Sequence, residues 1–290
     1  MLTGNSILHV NQNLGKCYKK DQIAGYYNDL TEKVTRTPEL LASHSLPTIH
    51  TEKGEDIYFP VAVFQYGLGA YDLYLLSGEQ QYLDAFRMAA DWAVEHQEPS
   101  GAWNNFFYVY PDHPYGAMAQ GEGTSLLVRA YKQWGEDRYL EACHNAIHFM
   151  LKPLEEGGTT EYADKDSIIL REYTHLPTVM NGFIFAWFGL YDYVQATHSE
   201  EHQKTLSQSE ATLRKLLPRF QNGYWSLYDL SGKIASPFYH NLHIAQMEAM
   251  FDLTGETIYK RLANNWRKKQ HNRYCSSRAF IKKAIQKILE

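Results

Sequence analysis

The sequence is short of sulfur, lacks long apolar runs and shows little net charge. Its three cysteines (Cys17, Cys143, Cys275) among 290 residues are too few for a disulfide framework and too widely spaced for a zinc cluster. The longest apolar stretch, 182–190, is half the roughly 18 residues a membrane span needs. The opening MLTGNSILHVNQNLGKCYKK has no charged segment leading into an apolar one, so no leader peptide is expected and a cytoplasmic location is. Nor is there a GxxxxGK[ST], a GxGxxG after a strand, an HExxH or a GxSxG, which argues against nucleotide, zinc-protease and serine-hydrolase chemistry. No segment is low in complexity.

What is present points to a folded domain with an aromatic excess. Hydrophobic residues make up 44% and charged residues 21%, a globular balance. Tyr 22, Phe 13 and Trp 6 together form 14% of the chain. Such a set can be plain core, or it can line a sugar cleft, since pyranose rings stack on aromatic faces and phenols bond sugar hydroxyls. The formal charge of -5 is unevenly spread: positions 261–290 hold nine Lys/Arg against one acid, so the rest carries -13. A basic end on an acidic body suits contact with a polyanion or an anionic surface.

An internal repeat organises the middle of the chain. Four units (65–96, 119–151, 180–217 and 240–269) each begin with an aromatic, small-residue helix, cross a short turn and continue into an amphipathic helix. The turns are Ser77-Gly78-Glu79, Trp134-Gly135-Glu136, His198-Ser199-Glu200 and Thr254-Gly255-Glu256. In the second helix of the first unit, Tyr82, Phe86, Ala89, Ala90 and Ala93 form an inward stripe, with Asp84, Arg87, Asp91 and Glu95 outside. The first helices are apolar nearly all round, as helices buried on two sides must be. The expected fold is therefore an all-α-dominated (α/α) toroid of helical hairpins, with short β-hairpin loops at the active-site end.

Three linking loops, 98–115, 157–177 and 222–239, mix aromatic or β-branched runs with turn residues. They should converge on one face, and loops of that length tend to be functional. The expected organisation is an N-terminal arm over 1–57 packed on a catalytic toroid over 58–270, then a basic amphipathic helix over 271–290. Within the arm only 31–45 is convincingly amphipathic.

Tyrosines stand out in these loops, in Arg171-Glu172-Tyr173, Leu227-Tyr228-Asp229-Leu230 and Phe238-Tyr239-His240-Asn241. Together with Gln65-Tyr66-Gly67-Leu68, Ala117-Met118-Ala119-Gln120-Gly121, Leu127-Val128-Arg129-Ala130-Tyr131, Asn181-Gly182-Phe183 and Gly189-Leu190-Tyr191-Asp192, they run in an order that resembles the C-terminal helical domain of the D-glucuronyl C5-epimerases of heparin and heparan sulfate biosynthesis. The resemblance covers about 58–266. It implies a toroid acting on glucuronate within a glycosaminoglycan-like polymer, with Tyr173, Tyr228 and Tyr239 lining the catalytic cleft and Glu172 beside the first. The chain departs from animal members in having Ser231 where they carry an Arg after Tyr-Asp-Leu and Thr174 where they carry a Pro, and a short arm is expected here where they carry large β domains before the helical one.

The chemistry needs such residues. Inverting C5 requires removing the proton α to the carboxylate and returning one to the other face. A phenol of pKa roughly 10 costs about 4 kcal/mol to ionise at pH 7, so a protonated tyrosine suits donation and a carboxylate or a stabilised phenolate suits abstraction. Tyr239 is expected to oppose Glu172 or Tyr173, with Tyr228 in support. The enediolate formed needs donors at the substrate carboxylate, for which Arg171, Lys233, His240 and Asn181 are candidates. Gln65, Tyr66, Gln120 and His243 complete the expected sugar contacts. No metal or other cofactor is expected, although His240-x-x-His243 is the spacing to check. The expected partner is an acidic polysaccharide and not nucleic acid; a homodimer, and a weak membrane or partner contact through the basic helix, stay open. A polysaccharide lyase, which shares the first proton abstraction, and an inactive glycan-binding toroid are the rival readings.

Overall fold

The computed structural model describes residues 10–289; the start of the opening segment read for a leader lies outside them. Helices α1 (Glu32–Thr35) and α2 (Pro38–Ala42) belong to the arm and are followed by a hairpin of β1 (Thr48–His50) and β2 (Asp56–Tyr58). Four helical hairpins come next: α3 (Pro60–Ser77) with α4 (Gln80–Glu95), α5 (Ala117–Trp134) with α6 (Asp137–Met150), α7 (Met180–Thr197) with α8 (Glu200–Leu216), and α9 (Pro237–Thr254) with α10 (Thr257–His271). A second hairpin, β3 (Thr160–Asp164) with β4 (Ser167–Leu170), lies between α6 and α7, and α11 (Arg273–Leu289) follows α10. These are the four units expected from the repeat.

The turns show why the repeat folds as it does. Each first helix ends on a residue in the left-handed region: Gly78 (φ 73), Gly135 (φ 68), His198 (φ 53) and Gly255 (φ 76). That conformation closes the helix by donating its N–H four residues back and sends the chain into the next helix. Helices α3, α5, α7 and α9 are buried almost all round, whereas α4, α6, α8 and α10 bury one stripe. The first set forms the inner layer and the second the outer. Between α5 and α7 the backbones nearly touch, since a Cβ on Gly121 would stand 2.5 Å from the Ala186 Cα.

The arm goes into the ring, not only onto it. Tyr26, Tyr27, Leu30 and Val34 are at most 1% exposed and belong to the main core. Tyr26 lies against Phe185 and Phe188 of α7. Buried Arg129 of α5 donates to the carbonyls of Ala24 and Gly25 and pairs with Asp192 of α7 at 2.6 Å. The arm's β1–β2 hairpin was not anticipated from its polar, weakly periodic sequence. Of the three linking loops, 157–177 forms the expected hairpin and 222–239 a short one through the Leu227–Ile234 bridge, while 98–115 consists of turns. Helix α11 buries only Ala279 against Trp225, Ile234 and Ala235, and leaves Tyr274, Ile281, Ile285, Ile288 and Leu289 exposed. Among the described residues no helix is long and apolar enough to cross a membrane.

Candidate active site

All four inner helices start at the same end of the ring, and a cavity of about 180 Å³ lies among their first turns. Val61, Ala62 and Gln65 of α3, Met118 of α5, Asn181 and Phe185 of α7, and Phe238, Tyr239 and Leu242 of α9 line it. Helix N-termini carry positive partial charge, so such convergence favours an anion. The loops contribute Asn105, Phe106, Glu172 and Tyr173, and the arm contributes Gln12 and Lys33. Larger hollows of about 760 and 860 Å³ lie on the surface elsewhere, lined by 217–268 and 222–285, away from these carboxyls and phenols.

Each chemical group is placed by local structure. Glu172 follows β4, with Arg171 anchored through its backbone to Thr159 and Ala117. Its side chain lies on the start of α7, where a Cβ on Gly182 would come within 2.5 Å of the Glu172 Cβ. Only glycine leaves room there. Tyr239 sits in the first turn of α9, where Ser236 caps the helix by accepting its N–H. Tyr228 is held by donating its N–H to the Lys233 carbonyl and by accepting the Met180 N–H at its own carbonyl. Tyr173 stacks on Phe106 at 4.7 Å, and the Tyr228 and Tyr239 rings lie 4.8 Å apart.

These groups form one electrostatic unit. Burial raises the Glu172 carboxyl to about 7, against which a Tyr173 hydrogen bond works. Burial and the nearby Glu172 charge also push the Tyr173, Tyr228 and Tyr239 phenols up. Hydrogen bonding from Tyr228 eases ionisation of Tyr173 and Tyr239 while raising Tyr228 itself. At neutral pH the carboxyl is therefore poised to take or hold a proton, and the phenols keep theirs. Oε2 of Glu172, Oδ1 of Asn181 and Oε1 of Gln12 are buried acceptors with no protein donor, an arrangement suited to a hydroxyl-bearing ligand.

The expected site residues divide accordingly. Gln65, Glu172, Tyr173, Asn181 and Tyr239 are on the cavity wall, and Tyr228 stands directly behind Tyr239. Gln120 instead clamps loop 98–115 by exchanging hydrogen bonds with both the N–H and carbonyl of Trp103, each at 3.0 Å. Tyr66 is buried in the main core. Arg171 pairs with Glu161 and caps its own loop by donating to the Leu176 carbonyl. Lys233 is exposed at a hairpin tip. His240 stacks on Trp225 at 3.6 Å and bonds Ser226, which also meets His243 at 2.9 Å. Burial lowers the His240 pKa to about 4 and drives that of His243 down too. Both are neutral anchors tying the 222–235 segment to α9. Among the described residues no cluster of three or more metal-type ligands occurs.

Three groups were missed from the sequence. Glu122 is fully buried, accepts from Gln65 at 2.9 Å and has its pKa raised to about 8, chiefly by burial. Its signal was an acid amid the small residues of a helix buried on two sides. Lys33 and Gln12 reach the wall from the arm, and nothing in their local pattern announces it.

Comparison with known proteins identifies the family and the fold. The family model described as D-glucuronyl C5-epimerase C-terminus matches residues 110–268, over half of the chain. A D-glucuronyl C5-epimerase of Caenorhabditis elegans is 28% identical over 217 residues, 64% of this chain and 35% of the relative. An uncharacterized protein of Methanocaldococcus jannaschii is 31% identical over 157 residues, covering 52% of this chain and 51% of that one. The chain thus spans about a third to a half of these relatives. In fold it resembles an unsaturated glucuronyl hydrolase from Bacillus sp. GL1, with a TM-score of 0.51, 13% identity and coverage of 86% of this chain and 66% of that one. An unsaturated glucuronyl hydrolase specific for heparin gives a TM-score of 0.51 at 10% identity, covering 91% and 78%. With the family model lying across the segments that carry Tyr173, Tyr228 and Tyr239, the chain belongs to the D-glucuronyl C5-epimerase C-terminus family.

Proposed function

We propose that the chain inverts C5 of D-glucuronate residues to L-iduronate in a heparosan-like uronic-acid polymer. The observation that carries this reading is the pairing, on one small cavity, of a carboxyl titrating near 7 with phenols held protonated. A general base is most effective with a pKa near the working pH, and a neutral phenol is a ready donor. In the proposed reaction Glu172 removes the C5 proton and the electron pair of that C–H bond moves into the substrate carboxylate as an enediolate. Tyr239 then donates a proton to C5 from the other face. One proton leaves the sugar and one arrives.

After a turnover Glu172 holds the extra proton and Tyr239 lacks one. The hydrogen-bond series Glu172–Tyr173–Tyr228–Tyr239 supplies a route for its return. Tyr228 thereby supports both outer groups without meeting the sugar. The three orphaned acceptors fit sugar hydroxyls, and the converging helix N-termini fit the acid group.

The test is incubation of the protein with heparosan oligosaccharides in D2O, followed by NMR. Deuterium at C5 with new L-iduronate signals is the expected outcome, lost in Tyr239→Phe and Glu172→Gln. An unsaturated, ultraviolet-absorbing product would put a lyase in its place. No exchange on any uronate polymer would refute the proposal.

A further inference from the structure

The catalytic cavity is too small for a polymer. At about 180 Å³ it falls below the roughly 300–1,000 Å³ of a site for a drug-sized ligand, so it matches a single sugar residue and the rest of a chain must lie on the surface. A hollow of about 860 Å³ between α11 and the segment 222–224 offers the place. Tyr224, Tyr274, Arg278 and Lys282 line it, and among the described residues no acid does. We propose that this groove is a second binding site, which holds a stretch of acidic polysaccharide outside the cavity. The inference rests on the acidic-polymer half of the reading above and not on the C5 chemistry.

The groove has fixed walls. On one side Asn222 Oδ1 accepts the N–H groups of Tyr224 at 3.3 Å and Trp225 at 3.0 Å, which sets the turn. Those bonds identify the other amide atom as Nδ2, a buried donor with no protein acceptor. On the other side α11 starts on Asn272, whose Oδ1 accepts the Cys275 N–H at 3.1 Å. Farther along, Ala279 is buried against Trp225, Ile234 and Ala235, and Gln286 accepts the Ile234 N–H at 3.1 Å. Tyr224 of the groove and Tyr239 of the cavity pack on that same cluster, so the two sites are neighbours and one chain can span them.

Its chemistry suits a glycan that carries carboxylates. The Arg278 guanidinium lies over the Tyr224 ring at 4.3 Å, and a guanidinium stacked by its face keeps its in-plane N–H groups for a carboxylate. Lys282, one turn on, adds a second cation, and exposed Tyr274, Ile281 and Ile285 offer apolar surface for the C–H faces of sugar rings. The surrounding charge points the same way. Positions 261–290 hold nine Lys/Arg against one acid while the rest carries -13, so a polyanion is repelled by the body and drawn to this end. A lipid surface fits less well, because an interfacial helix lays its apolar face flat. Here Tyr274, Ile281 and Ile285 wall a hollow whose other side is the 222–224 turn.

The test compares a heparosan tetrasaccharide with long heparosan, using the full chain. Binding is measured by calorimetry at low and high salt, and C5 exchange by NMR in D2O. Counted in tetrasaccharide units, the polymer should bind wild type about tenfold tighter, the scale of two exposed ion pairs gained by linking groove to cavity. High salt should shrink this gap, because exposed charges are screened. Arg278→Gln/Lys282→Gln should remove most of the gap and its salt dependence, with an unchanged circular dichroism spectrum showing the fold intact. Lys53→Gln/Lys204→Gln, which takes the same charge from exposed positions outside the groove, should keep both. Polymer bound no tighter than the tetrasaccharide, a gap that survives in the groove variant, or an equal loss in the control variant would overturn the proposal. Wild-type C5 exchange in any of those cases leaves the epimerase reading standing, and polymer held through the groove without C5 exchange does the reverse. Binding to vesicles of anionic lipid, lost in the groove variant while the heparosan gap is kept, would assign the face to a membrane instead.

Discussion

Replacing Asp192 by Asn tests whether the arm is built into the ring. The Asp192 and Arg129 side chains are each 1% exposed and meet at 2.6 Å. The Tyr27 hydroxyl donates to the other Asp192 oxygen at 2.6 Å, and Arg129 directs its remaining donors to the carbonyls of Ala24 at 2.8 Å, Gly25 at 3.0 Å and Ser125 at 2.8 Å. Two ring helices and the arm thus share one ion pair. The amide of Asp192→Asn would keep the shape and strand the guanidinium without a counter-charge. Breaking a buried pair from one side costs about 3–5 kcal/mol, a large part of the roughly 5–15 kcal/mol that holds a domain folded. Arg129→Met should cost a similar amount, because it leaves Asp192 uncompensated and the arm carbonyls without donors. The double variant Arg129→Met/Asp192→Leu should cost much less than the two single changes together, since a paired buried charge differs little in stability from well-packed apolar side chains. Urea unfolding followed by far-ultraviolet circular dichroism gives the cycle directly. A loss below about 1 kcal/mol in Asp192→Asn, or strict additivity in the double variant, would refute the reasoning that this pair locks the arm to the ring.

Three further outcomes follow from the geometry. Gly182→Ala places a Cβ against the Glu172 side chain; overpacking of that kind costs about 1–3 kcal/mol, and displacing Glu172 by about an ångström should lower C5 exchange about a hundredfold, measured by NMR beside a urea melt. His198 occupies the left-handed turn position (φ 53) that glycine fills in the other three hairpins, so His198→Gly should stabilise by about 1 kcal/mol, visible as a raised thermal midpoint, and a lowered one would sink the argument. Burial raises Glu122 from 4.5 to about 8: between those values the unfolded chain releases the proton and the folded one keeps it, so stability falls as pH rises through that window. Glu122→Gln should flatten this slope, gaining on wild type at pH 8 and not near pH 4 in urea midpoints taken across the range.

The hairpin architecture was legible because it is written locally. Inner helices are apolar on all sides, outer ones carry a single stripe, and a turn residue marks each junction even where His198 stands for glycine. Glu172, Tyr173 and Tyr239 could be found for a related reason: an inter-unit loop or helix start must lie at the end of the ring. What sequence could not show is how distant segments meet. Nothing around Lys33 or Gln12 says that the arm enters the ring, because its path depends on Gly69, Arg129 and Tyr27 acting together. His240 and His243 illustrate the converse. Their helix-start position resembles that of Tyr239, yet α9 directs them onto Ser226 and Trp225, and a step of one residue, about 100° round the helix, separates Tyr239 on the wall from His240 as an anchor.

If the cavity takes a uronate, as proposed, two buried carboxyls beside it pose a conflict of like charges, and the arrangement of Glu122 and Glu172 resolves it. If both were ionised, they would repel each other and the incoming substrate, in a setting where little water screens them. Glu122 lies deeper, is fully buried and holds its proton to about 8, while Glu172 titrates near 7. The two act on each other, because the Glu172 charge raises Glu122, and the coupling runs both ways. Keeping Glu122 neutral therefore keeps Glu172 ionisable near neutrality. In the proposed reaction the inner carboxyl needs no contact with the sugar to matter: its proton sets the charge state in which Glu172 would work as a base.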